Sequence, residues 1–487
     1  MNIEEKLIAL EQVTRELEPG AGQREEVRQK VVEYAESFLN NLADMPVFNT
    51  SDEQIAKPEI HGYPRPVEEL IRHIYRNIDS KALNAASGGY MGYIPGGGLY
   101  YSALGDYLAD VSNKFVGLRE ASPGSVDIEN TLLSWMANEI GLPATFGGNL
   151  TSGGSVANLI AVVTARDAAG IKGADISQCV VYLTSQAHHS VDKALRIAGM
   201  GEAQRRFIAM DEHFRMIPSD LEKQIVQDKN AGLKPWMVIT AAGTTNSGAV
   251  DPLEACGAIT KKHKLWYHVD AAYGGFFILT AEGRKRLKGI EMADSIVMDP
   301  HKALFLPYGL GTVLIRDKTL LHKSHYYVAN YIASTTDALE DMSPSELSPE
   351  LTKHNRALRL WVPLHLHGTI AFSSALEEKL LLAKYFYESL SKEEDFEIDG
   401  PPDLSIITFR HKAPGRDQDE FNKQLLHAIR EDGRIFLSGT TLNGRFTIRM
   451  VILSFRTHLE QVQTALQVIR EKTRELTENE EALYWSR

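Results

Sequence analysis

Met298-Asp299-Pro300-His301-Lys302 sets a lysine just after an apolar run and just before Ala303-Leu304-Phe305-Leu306-Pro307-Tyr308-Gly309. A lysine amine forms an imine with a carbonyl compound where a partly dehydrated pocket makes its neutral form accessible. Upstream, Trp266-Tyr267-His268-Val269-Asp270 is a second apolar run that ends in a carboxylate, followed by Ala271-Ala272-Tyr273-Gly274. If both runs are strands, Asp270 and Lys302 meet at neighbouring strand ends. A lone lysine after a strand is most often a solvated surface charge, so its surroundings decide the reading.

Those surroundings include an anion cradle, Thr151-Ser152-Gly153-Gly154-Ser155-Val156-Ala157-Asn158. Two glycines allow close backbone approach, Ser155 offers a hydroxyl, and the apolar run from Val156 to Ala161 opens a helix whose first amides and dipole face an anion. Most Gly-Gly-Ser turns are only helix entrances; this one precedes Asp270 and Lys302 in the chain. An aspartate stabilises a protonated pyridine nitrogen by its opposite charge. Such a carboxylate, an imine-forming lysine and a phosphate cradle are together the minimum apparatus for pyridoxal 5'-phosphate chemistry, in which the cofactor is an electron sink.

The elements that must position these residues follow from period and punctuation. Helical patterns run over Glu25 to Leu42 and Pro66 to Ile78. Strand candidates then alternate with helices: Cys179 to Leu183, Trp236 to Ala241, Leu265 to Val269, Ser295 to Met298 and Gly311 to Ile315. This alternation predicts a mainly parallel sheet with helices on both faces. A helix over Ala375 to Leu390, strands near Ile406 to Phe409 and Phe446 to Val451, and a closing helix from Leu459 to Leu476 predict a smaller α/β unit. The expected organisation is a helical segment over 1–85, a large domain over 86–375 and a small domain over 376–487.

Thr151 to Asn158, Gln186-Ala187-His188, Gly243-Thr244-Thr245, His268 to Tyr273 and Pro300-His301-Lys302 resemble the successive motifs of the group II pyridoxal-phosphate-dependent amino-acid decarboxylases. Within that group the chain is most similar to the aromatic-L-amino-acid decarboxylases. The resemblance implies fold type I, with a mainly parallel seven-stranded sheet in the large domain, and a homodimer in which the N-terminal segment lies across the partner. It also implies that Lys302 carries the cofactor as an imine, that Asp270 pairs with the pyridine nitrogen, and that His188 stacks on the ring opposite Ala272. Gly154 and Ser155 would bind phosphate, with Thr245 and His301 beside the cofactor. His189, next to His188, reads as structural.

The departures from the family bear on mechanism. Ala303 follows Lys302 where many aromatic decarboxylases have tryptophan, which leaves space or a different wall. The loop before Arg359-Leu360-Trp361 carries in the family a tyrosine that returns a proton to Cα, yet Thr335 to Thr352 contains none. Tyr326, Tyr327 and Tyr331 lie earlier, and Tyr331 is the candidate donor. Tyr93, Tyr100, Tyr101 and Phe115 are candidates for an aromatic substrate wall. Arg119, followed by Glu120, is a candidate fork for a distal carboxylate, unless Glu120 or a charge across the dimer satisfies it. Decarboxylation of an aromatic amino acid to its amine is the leading expectation. Decarboxylation of glutamate, aspartate or cysteine sulfinate, oxidative deamination to an aldehyde, and a non-catalytic cofactor-binding homologue are the alternatives.

Composition fits an enzyme of this kind. A chain of 487 residues exceeds one compact core, and 43% hydrophobic residues is ordinary for a globular protein. A formal charge of -12 without a dense basic run argues against a nucleic-acid surface. The two cysteines, Cys179 and Cys256, have no metal-type spacing and read as buried free thiols of a reducing compartment. No signal peptide or membrane span is expected, so the cytoplasm is the expected location.

Overall fold

The structure, a computed structural model, describes residues 2–50, 55–57, 59–327 and 342–485, with side chains to residue 478. At the N-terminus, helices Ile3–Thr14 and Ala21–Asn40 bury no residue and expose Ile3, Leu7, Leu10, Val27 and Val31. A short antiparallel ladder of β1 (Phe48–Asn49) with β2 (Ala82–Leu83) follows. The helix Val67–Ile74 stops short of the expected Ile78, because Tyr75–Asp79 widens into a π turn.

The large sheet is built from β3 (Gly147–Thr151), β4 (Cys179–Leu183), β5 (Gln204–Phe207), β6 (Lys234–Ala241), β7 (Trp266–Asp270), β8 (Ser295–Met298) and β9 (Gly311–Ile315). Its order is β3-β9-β8-β7-β6-β4-β5. The pairs from β8 through β5 are parallel, and β9 is antiparallel to both its neighbours. β4, β8 and β9 are buried at every residue, as strands covered on both faces must be, and this explains why their sequences are mostly apolar. The chain reads as a mainly parallel α/β protein of fold type I.

A second, antiparallel sheet has the order β10-β11-β13-β12, from β10 (Phe396–Ile398), β11 (Ile406–His411), β12 (Ser438–Leu442) and β13 (Arg445–Val451). The helix Gln418–Asp432 packs on it through Phe421, Leu425 and Ile429, spaced i, i+4, i+8. Its start is capped by Asp417, which accepts from the amides of Asp419 and Glu420. The helix Thr369–Leu390 joins the two cores: Phe372 and Leu376 belong to the large one, and Leu382, Ala383, Phe386 and Leu390 to the small one.

β3 leads directly into the glycine turn and is fixed from outside the sheet. Lys353, with a fully buried side chain, lies 2.8 Å from Glu129 Oε1, and its Nζ donates to Asn149 Oδ1 at 2.9 Å. Glu129 Oε1 also accepts from Leu150 N at 3.0 Å, and Asn149 Nδ2 donates to Pro344 O at 3.0 Å. Breaking such a pair strands a buried charge, whereas removing both charges is close to neutral. Lys353→Met is expected to destabilise the protein by about 3–5 kcal/mol, and Glu129→Gln in the same chain to restore most of the loss. Denaturant unfolding midpoints of the single and double variants check this; equal losses in both would assign the effect to packing alone.

Candidate active site

The parallel register of β7 on β8 sets Asp270 opposite Val297, so both strands release their chains at the same edge of the sheet. Crevices outside the carboxyl ends of parallel strands are where ligands of such folds bind. β8 is followed by Asp299 and a single helical turn, Pro300–Ala303. Proline suits its first position, where no amide donor is needed. Lys302 N donates to Asp299 O at 2.9 Å, closing the turn. The chain beyond is buried at Ala303, Leu304, Phe305 and Leu306 and held by Arg359, whose Nη1 donates to Tyr308 O at 2.7 Å.

A cavity of about 310 Å³ opens here, and it brings together Gly154, Ser155, His188, Thr245, Asp270, Ala272, His301 and Lys302. Asp270 Oδ1 accepts from Ala272 N at 3.1 Å and Oδ2 from Asn158 Nδ2 at 3.2 Å. His188 caps the helix His189–Ile197, its Nδ1 accepting from Ser190 N at 3.3 Å. Burial pushes the His188 imidazolium below its usual range, against the favourable charge of Asp270. His301 Nδ1 donates to Leu310 O at 2.6 Å, and burial likewise lowers its proton affinity.

At the cradle, Gly153 adopts φ +150°, a region that favours glycine. A Cβ on Gly154 would stand 2.9 Å from Asp299 Oδ2, so only glycine fits beside that carboxylate. The amides of Gly154 and Ser155 open the helix Gly154–Ala168, where first-turn donors have no intrahelical acceptor. Asp299 is 1% exposed; its Oδ2 lies 2.9 Å from Lys302 Nζ, and its Oδ1 has no partner among the described residues. Asp299 and Asn158 stand inside the sequence motifs, whose local chemistry declares no role for either. The available signal for Asn158 was a polar residue in an apolar helical stripe, between Ala157 and Ile160.

The substrate-side candidates do not line this cavity. Tyr93 (55% exposed, φ +47°) packs its ring on Phe436. Tyr100 donates to Glu36 at 3.2 Å, Tyr101 lies against His367, and Phe115 is partly exposed. Arg119 Nη1 donates to Asp127 Oδ1, eight residues on, at 2.7 Å, a partner other than the expected Glu120. Ala303 is fully buried in the large core. Tyr326 stacks on His322 and Tyr327 is exposed; Tyr331 lies outside the described residues. Cys179 and Cys256 are both free and buried. Among the described residues no helix is long and apolar enough to cross a membrane.

Residues 52–412 match the pyridoxal-dependent decarboxylase conserved domain. An aromatic-L-amino-acid decarboxylase of Bacillus atrophaeus is 34% identical over 468 residues, which is 93% of this chain and 96% of that one. A phenylacetaldehyde synthase of Arabidopsis thaliana is 27% identical over 468 residues, 91% of this chain and 94% of its own length. The crystal structure of Oryza sativa TDC with PLP and tryptamine superposes with a TM-score of 0.87 at 26% identity, covering 94% of this chain and 99% of that one. The chain belongs to the pyridoxal-dependent decarboxylase family. It is a pyridoxal-phosphate-dependent amino-acid decarboxylase.

The cavity suits that cofactor on its own chemistry. An anion-binding helix mouth, a lysine and a carboxylate of fixed orientation converge on one cavity, and buried Asp299 Oδ1 is left with capacity for a donor. Below the cavity, His268 is 1% exposed, and desolvation lowers its pKa from 6.5 to about 4. An unfolded histidine binds its proton below about pH 6.5, while folded His268 stays neutral to about pH 4. Its stabilising contribution is therefore complete above the upper value and is lost as pH falls through the lower. The cofactor-free wild type is expected to lose on the order of 3 kcal/mol more than His268→Gln across that window. Denaturation midpoints at several pH values check it; parallel pH profiles would show that His268 is not held neutral.

Proposed function

We propose that Lys302 binds the cofactor covalently, that Asp270 faces its pyridine nitrogen, and that His188 and Ala272 lie on opposite faces of its ring. Gly154 and Ser155 receive the phosphate, with Thr245 and His301 beside it. The observation that carries this reading is the convergence of Asp270 and Lys302, from neighbouring strand ends, on one cavity with the glycine cradle. When bound, the cofactor supplies the electron sink that accepts the pair left on Cα after carbon dioxide departs. The chain's own part is to orient, to exclude water and to return a proton to Cα, a task assigned to Tyr331.

We further infer that the substrate is an aromatic L-amino acid and the product its amine. The relative from Bacillus atrophaeus, an aromatic-L-amino-acid decarboxylase over nearly the same length, supports this. The acidic-substrate alternative rested on Arg119, which Asp127 occupies. The aldehyde-forming alternative keeps a specific support in the similarity to a phenylacetaldehyde synthase. The exposed apolar residues of the N-terminal helices support a homodimer in which 1–85 lies across the partner, ahead of a large domain over 86–375 and a small one over 376–487. Tyr93, Tyr100, Tyr101 and Phe115, exposed or half-exposed, are then proposed to complete the substrate wall within the dimer. Two buried free thiols support a cytoplasmic location.

Incubating the cofactor-loaded protein with each common amino acid and identifying products by mass spectrometry tests the reading. Phenylalanine, tyrosine or tryptophan is expected to give amine and carbon dioxide in equal amounts, without oxygen uptake. Tyr331→Phe is expected to keep releasing carbon dioxide while shifting product toward aldehyde, with oxygen consumed and ammonia and peroxide formed. A wild type yielding mostly aldehyde would overturn the amine-forming reading, and turnover of glutamate alone would overturn the aromatic one.

A further inference from the structure

Asn158 is 1% exposed and makes three side-chain hydrogen bonds, to Ser190, Asp270 and His268. An amide has a donor side and an acceptor side, and its neighbours decide how it faces. The Asp270 carboxylate only accepts, so Asn158 Nδ2 faces it and Oδ1 faces His268 Nε2 at 2.9 Å. Because Oδ1 only accepts, His268 carries a proton on Nε2. Burial keeps that ring neutral, which leaves its Nδ1 as an acceptor. Ser295 Oγ, 2.8 Å away, donates to it and receives Trp266 Nε1–H at 2.8 Å. The chain thus closes on an indole, which can only donate.

The second branch is equally directed. Asn158 Nδ2 donates to Ser190 Oγ at 3.0 Å, and the Ser190 hydroxyl donates to His188 Nδ1 at 2.7 Å. The Ser190 amide reaches the same nitrogen. His188 Nδ1 therefore accepts, and the neutral ring holds its proton on Nε2.

We propose that Asn158 is a positioning residue joining Asp270 to His188, its Nδ2 lying 3.2 Å from Asp270 Oδ2 and 3.0 Å from Ser190 Oγ, so that one amide sets the carboxylate's orientation and the tautomer of His188 together. This rests on the reading of Asp270 and His188 as cofactor contacts. It has a chemical consequence: at Nε2, neutral His188 gives a hydrogen bond and cannot act as a base. Groups that orient the residues touching a cofactor contribute to its affinity as well as to rate.

Two-bond 1H–15N spectra of the cofactor-free protein, labelled on histidine and assigned with His188→Gln and His268→Gln, read the tautomers without any turnover. Both rings are expected as neutral Nε2–H forms near neutral pH. In Asn158→Leu, His268 loses its acceptor and is expected to move its proton to Nδ1, with affinity for pyridoxal phosphate falling at least tenfold. Asn158→Asp keeps the acceptor and loses both donations, so His268 is expected to stay as in wild type while affinity still falls. Ser190→Ala is expected to alter the His188 signals alone. A proton on Nδ1 of either ring in the wild type would overturn the proposal. So would wild-type affinity in both Asn158 variants. Intact tautomers in a wild type that binds no pyridoxal phosphate would instead overturn the cofactor roles of Asp270 and His188.

Discussion

The parallel register of β7 against β8 is the constraint on which the site depends. Side chains alternate along a strand, so a one-residue slip would turn Asp270 and His268 to the opposite faces of the sheet. With His268 opposite Ser295 and Asp270 opposite Val297, the carboxylate emerges where Asp299 and the Lys302 turn begin. The same register lets Ser295 reach His268. Burial on both faces specifies it, since β8 has no exposed residue on which a shifted pairing could be accommodated.

The site is also an electrostatic compromise. Asp299 sits beside a cradle suited to an anion, and its negative charge is answered by Lys302. Asp270 is held by donors on both oxygens, which orients it without neutralising it. The histidines around it are kept neutral by desolvation. A neutral ring is flat, apolar on its faces and able to stack on another ring, whereas an imidazolium would compete with a pyridinium for Asp270.

Much of this was legible in the sequence, for identifiable reasons. The boundaries of β4, β8 and β9 are legible because doubly covered strands are short, mostly apolar runs. β3 was missed because Gly147-Gly148-Asn149 carries no apolar signature. β5 was missed because Gln204-Arg205-Arg206 is a half-exposed edge. Among site residues, those in the glycine turn and the strand-end motifs were legible because local chemistry declares them. The tasks of Asn158 and Asp299 were not, because each depends on a partner that only the sheet brings near: Asp270 is 112 positions from Asn158. For the aromatic residues near position 100 the sequence carries the chemical type but no information on which surface they face.

The central claim is that Lys302 is the lysine to which pyridoxal phosphate is joined. Borohydride reduction of the loaded protein, followed by peptide mapping, tests it most directly. The account predicts the phosphopyridoxyl label on the peptide containing Lys302 and no label in Lys302→Ala; a label on any other lysine would contradict it.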